Sequence, residues 1–75
     1  MKRKTATQII QETHIRRHPL ARDVHATWIN QVMRDGRPIE QYRVTTATYT
    51  YLYYFDAEMY TVVEKVPFKR ALVAV

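Results

Sequence analysis

Residues 45 to 54 read TTATYTYLYY, and a run this dense in threonine and tyrosine suits a β-strand and little else. β-Branched and aromatic side chains fit a pleated surface and lose rotamer freedom in a helix. Alternation along a strand puts Tyr49, Tyr51, Tyr53 and Phe55 on one face, and Thr48, Thr50, Leu52 and Tyr54 on the other. The first face is a continuous aromatic ladder with two uses open to it. As a core it would lie under a helix, each phenol tip reaching the rim. As a contact surface it would offer a partner large area at low entropy cost. Three successive core tyrosines leave three hydroxyls to satisfy, a burden an aliphatic ladder avoids. A strand with one buried face, and with Tyr54 and the threonines exposed on the other, accommodates both uses. Tyr49, Tyr51, Tyr53 and Tyr54 are thus candidate protein contacts.

The strand composition begins after Pro38. Residues 39–46 and 47–55 read as two strands or one long bent one, and 59–66 as another. The last has a competitor: Asp56 could cap a helix whose stripe is Met59, Val62, Val63 and Val66. The run Tyr60-Thr61-Val62-Val63 favours the strand, which makes 56–58 a hairpin turn and 71–75 an edge strand or tail. Upstream, Pro19 suits a first helical position and Gly36 the position past a helix end. Between them Leu20, Val24, Trp28 and Val32 recur every four residues, with Asp23, Thr27, Asn30 and Arg34 opposite, which predicts an amphipathic helix over 19–35. Ile29 and Met33 flank that stripe, either packing under the N-terminal segment or forming a partner-facing edge. Thr5 and Gln8 fit a capping box opening a short helix over Ala6 to Arg17, with Ile9, Ile10 and Ile15 as a partial stripe. The expectation is one α+β domain over 1–75, with one or two N-terminal helices packed on a small antiparallel sheet of about three strands. Residues 1–6 form a flexible basic arm, 7–35 are helical, 38–66 are strands, and 67–75 are an edge strand or tail.

A chain of 75 residues buries only roughly 60% of the surface its unfolded form exposes. With no cysteine, neither disulfides nor a thiolate zinc site can staple it. Self-association into a homo-oligomer or docking on a partner is the remaining route. No window approaches the roughly 20 apolar residues of a membrane span. Lys2, Arg3 and Lys4 open the chain where a signal peptide would turn apolar, so a soluble cytoplasmic protein is expected. The net charge of +5 sits in the first third, where Lys2, Arg3, Lys4, Arg16, Arg17 and Arg22 stand against Glu12 alone. Such a segment either keeps the chain soluble or is drawn to phosphate or an acidic surface.

Much chemistry is excluded. Serine and cysteine are absent and the single glycine forbids a phosphate-cradling loop, so no catalysis and no cofactor are expected. Asp56 and Glu58 read as turn residues. His14 and His18 have the i, i+4 spacing of metal ligands, but Pro19 pushes His18 out of helical geometry and no third ligand accompanies them. No metal is expected; the histidines extend the basic patch. A basic arm beside an aromatic strand is also the recipe of a single-strand nucleic-acid binder. The strands themselves carry few cations, chiefly Arg43 and Lys65, and the signature of an RNA-recognition motif is missing. A helix-turn-helix over 6–35 is weakened by a proline junction with no turn glycine.

The charged arm, the segment PLARDVHATWINQVMRDG and the tyrosine-rich YRVTTATYTYLYYFDAEMYTVVEKV together resemble small phage-encoded regulators of bacterial RNA polymerase. These are of the Xanthomonas-phage type that displaces sigma factor and promotes antitermination. The resemblance implies a protein partner, no catalysis, and nucleic acid nearby. The expectation is stoichiometric binding to bacterial RNA polymerase through aromatic anchors, with Lys2, Arg3, Lys4, Arg16 and Arg17 touching nucleic acid or an acidic surface. Two other classes stay open: an independent nucleic-acid-binding module, and an inhibitor of a host defence complex.

Overall fold

The computed structural model describes residues 4–70; Lys2, Arg3 and the segment 71–75 lie outside them. The described chain is α+β, with one helix, α1 (Ala6–Arg17), and four strands: β1 (His25–Arg34), β2 (Arg37–Thr45), β3 (Tyr49–Asp56) and β4 (Thr61–Arg70). The strands form one antiparallel sheet in the order β1-β2-β3-β4, four where about three were expected.

The capping box is formed: the Gln8 backbone N–H donates to Thr5 Oγ1 at 3.1 Å, and Gln8 Oε1 accepts from the Thr5 N–H at 2.9 Å. The helix ends at His18, whose N–H donates to the His14 carbonyl, just before Pro19.

The expected helix over 19–35 is absent, and with it the helical stretch 7–35 beyond Arg17. Leu20, meant to begin its buried stripe, is 92% exposed, Asp23 has a left-handed φ of 56°, and His25 opens β1. Asp35 and Gly36 take φ of 50° and 76°, the consecutive positive pair that a tight β-hairpin requires. Gly36 serves that hairpin instead of a helix end. A spacing of four is even, so it fits a strand as well as a helix. A bulge at Ile29 then breaks the alternation: Trp28 pairs with Tyr42, on the helix-covered side, while Val32 pairs with Ile39 on the other.

The 39–55 region is two strands. The Thr46 hydroxyl holds the turn between them, accepting from the N–H groups of Thr48 and Tyr49. After β3 the Asp56 carboxylate accepts from the N–H groups of Glu58 and Met59, as a helix cap would, but Tyr60 then takes a left-handed φ of 57° and Thr61 opens β4, so the segment is a single turn. β4 runs through Pro67 to Arg70 instead of stopping near Val66; an edge strand tolerates proline because one side needs no ladder bond.

α1 lies across one face of the sheet. Ile10 meets Tyr42, Val44, Tyr53 and Phe55 there, flanked by Ala6, Ile9, Val24, Ala26 and Val62. The Tyr60 hydroxyl donates to the Lys4 carbonyl at 2.8 Å, tying the head of the helix to the β3–β4 turn. On the opposite face, which no second layer covers among the described residues, the Arg34 guanidinium lies 4.3 Å over the Tyr54 ring and bonds Glu64. No helix among the described residues is long and apolar enough to cross a membrane.

Candidate functional site

Tyr51 is half-buried under the end of the helix, its ring 4.6 Å from that of His14 and 5.6 Å from that of His18, and Tyr49 stands exposed beyond it. Positions i, i+3 and i+4 of its last turn, His14, Arg17 and His18, look onto the same region. After His18 the chain folds back, with the Ala21 N–H on the His18 carbonyl, and Arg22 accepts from the Ala47 N–H of the β2–β3 turn at 3.0 Å. These ties border an open cleft of about 400 Å³. One wall carries Tyr49, Tyr51, Thr46 and Thr48, another Pro19, Leu20 and Ala21, and the helix end supplies His14, Arg17 and His18.

His14 is wholly buried. Its Nδ1 lies 2.6 Å from the Tyr53 hydroxyl, while Nε2 has no hydrogen-bond partner. Burial, then the neighbouring His18, Lys65 and Arg17, lowers the His14 pKa from 6.5 to about 4, so the ring is neutral at pH 7. Burial likewise pushes the Tyr53 phenol up to about 12, against the opposing pull of Arg17. The phenol therefore keeps its proton. Donation of that proton to His14 Nδ1 satisfies both atoms, which assigns the remaining hydrogen to Nε2.

The His18 ring stacks on His14 at 4.4 Å, and its Nε2 lies 2.9 Å from the Lys65 ammonium. An ammonium can only donate, so His18 Nε2 carries a lone pair and the ring is neutral, in accord with a pKa lowered by burial, Lys65 and Arg17. Lys65 also stands 5.4 Å from the Tyr51 ring centre. The cleft thus has neutral imidazoles at its base, cations at its rim and a tyrosine wall.

His18, just before Pro19, leaves helical geometry as expected, at φ −131° and ψ 75°, yet its ring still meets that of His14, stacked at 4.4 Å. One nitrogen of each ring is engaged, His14 Nδ1 by a phenol and His18 Nε2 by an ammonium. No group of three or more potential ligands occurs among the described residues.

Of the candidates read from the sequence, Arg17, Tyr49 and Tyr51 come together here. Lys4 sits at the other end of α1, paired with Glu12 at 2.7 Å, and Arg16 is exposed on the helix. Lys2 and Arg3 lie outside the described residues. Tyr53 is fully buried in the core and cannot serve as a contact, because its ring is what α1 covers. Tyr54 faces the other way, held by Arg34 and by the Gln41 amide. Sequence reasoning missed His14, His18 and Lys65 as parts of one site. The step of four from Ile10 to His14 was the available signal for the first, and the hairpin register that sets Tyr53 opposite Lys65 for the last.

A second feature lies on the edge strand β1, where Trp28, Ile29 and Met33 are exposed. Trp28 Nε1 donates to Glu40 at 2.6 Å, which fixes the indole at the surface. Comparison of the chain with protein-family models, with curated proteins and with solved structures gives no match in any of the three.

Proposed function

We propose that the protein is a non-enzymatic binder of single-stranded nucleic acid, acting through the cleft at the end of α1. The observation that carries this reading is the meeting of Arg17 with Tyr49 and Tyr51 around one opening with no carboxylate in its lining. Guanidinium and phosphate pair in a fork, and base stacking on tyrosine tolerates any sequence. The net charge of +5 adds long-range attraction. On this reading the protein acts in the cytoplasm, as the sequence leads one to expect. The test is a fluorescence-anisotropy titration of a labelled single strand across a salt series. Arg17→Ala should flatten the dependence of log K on log salt by about 1, as removal of one phosphate contact does. An unchanged slope together with unchanged affinity would sink the reading.

A protein partner is the second reading, favoured by the exposed Trp28, Ile29 and Met33 on an edge strand, a surface suited to a polypeptide. The resemblance to phage regulators makes bacterial RNA polymerase the partner to test. Immobilised protein should retain the polymerase from nuclease-treated lysate and release it on Met33→Glu; loss of the polymerase with the nucleic acid excludes direct docking.

A further inference from the structure

The geometry points to a site for one unstacked nucleotide, and not to a groove along which a strand lies; this inference rests on the nucleic-acid reading above. A platform that stacks successive bases needs its aromatic face open along the strand. Here α1 occupies that face over Tyr53 and Phe55, which leaves the exposed Tyr49 and the edge of Tyr51, itself packed by His14 and His18; the two tyrosine ring centres lie 6.3 Å apart at an interplanar angle of 57°. Rings so tilted cannot both carry parallel stacked bases, but they can form two sides of a single slot.

The cleft has the dimensions and the chemistry for that slot. Its volume of about 400 Å³ falls within the roughly 300–1,000 Å³ of small-molecule sites. Pro19 to Ala21 add apolar surface to the lining, with Leu20 standing exposed at its mouth, and a base laid there would cover it. Arg17 stands at the cationic rim, suited to a 5′-phosphate. Lining the same cleft is His14, wholly buried, whose Nε2–H has no acceptor among the described residues. A buried donor without a partner is costly, and a ring nitrogen or carbonyl of a base would satisfy it. The ligand class is therefore a nucleoside 5′-monophosphate unit, free or as an unpaired residue of a strand.

The full chain is titrated with each common nucleoside 5′-monophosphate by calorimetry, with inorganic phosphate and an unphosphorylated nucleoside as separate arms. The same monophosphates then compete against a labelled oligothymidylate. Tyr49→Ala and Arg17→Ala are chosen because both side chains are exposed at the rim and neither belongs to the core. Saturable monophosphate binding that displaces the oligonucleotide, and weakens at least about tenfold in Tyr49→Ala, in line with the loss of one base stack, is the expected result. Inorganic phosphate binding as tightly as the monophosphates would overturn the base slot. An oligonucleotide that binds, resists displacement at millimolar monophosphate and ignores Tyr49→Ala would overturn the single-nucleotide site and leave single-strand binding standing. Failure of both ligands to bind removes the two readings together.

Discussion

His14 is the residue on which the cleft and the core both depend. Its neutral ring is stacked on His18, hydrogen-bonded to Tyr53, and faced by Tyr51, Arg17 and Lys65, with no carboxylate among these neighbours. A proton there would place a buried cation among cations. Because its pKa falls on folding, the unfolded chain binds that proton more readily. Stability is therefore full above about pH 6.5 and is lost as pH falls toward about 4. The loss is up to about 3 kcal/mol, from a shift of two to three pH units. Asp56, whose pKa is lowered by the Met59 N–H and then by the Glu58 N–H and Arg37, acts in a lower window, below the ordinary carboxylate value. Urea midpoints measured from pH 7.5 to 4 should fall for the native chain and stay nearly level down to pH 4.5 in His14→Gln; parallel curves would place the titration elsewhere. Tyr53→Phe should cost about 1–3 kcal/mol, since it strips the one partner from a buried imidazole and leaves the aromatic packing intact. None of this was legible locally. The alternation of tyrosines along β3 was readable, and so was the problem of their hydroxyls; that the answer for Tyr53 is a histidine 39 residues away depends on where the helix lands.

At the scale of elements, the sequence spoke clearly wherever one periodicity had no rival. The capping box gave α1 its start, and the threonine and tyrosine content gave β3. Residues 59–66 offered both a helical stripe and β-branched composition, and composition won: the Asp56 carboxylate bonds would suit a helix cap as well, but Tyr60 turns left-handed and Thr61 onward pairs with β3. In 19–35 the stripe of four-residue spacing was compatible with both structures, and a positive-φ glycine ends a helix as readily as it turns a hairpin. What decided the matter was pairing with β2 through the two-residue Asp35-Gly36 turn, and that Asp-Gly step was the hairpin signal the helix reading passed over. The hairpin can be probed at its turn. Nothing lies within 4 Å of where a Gly36 Cβ would stand, so Gly36→Ala carries only the backbone cost of its φ of 76°. That cost is about 1–2 kcal/mol. Gly36→Asn should recover part of it, because asparagine tolerates the left-handed region. Chemical denaturation followed by Trp28 fluorescence reads both. Equal stability of all three would mean that the Asp35-Gly36 turn does not hold the β1–β2 pairing.

The whole molecule separates its cations along the helix. Lys4 precedes α1 and Arg17 ends it, 13 residues on along the chain; the 12-residue helix spans about 18 Å at 1.5 Å per residue, and the Lys4 ammonium reaches along it to Glu12. A stacked single strand advances about 3.4 Å per nucleotide, so one strand reaches both ends only when it has about five nucleotides or more. The cleft and the basic head should therefore be distinguishable by ligand length. With a trinucleotide, Arg17→Ala should lower affinity and flatten the salt dependence, while the joint change Lys2→Gln, Arg3→Gln, Lys4→Gln should leave both unaltered. With a strand of twelve nucleotides, both variants should flatten the slope and their effects should add. The triple variant also breaks the Lys4–Glu12 pair, but an exposed pair of that kind contributes at most about 1 kcal/mol, so the fold should persist and the comparison remain clean. Equal sensitivity of the trinucleotide to both variants would show diffuse attraction to net charge in place of a defined site. Sensitivity of the longer strand to the triple variant alone would move the phosphate contacts from the cleft to the head of the helix.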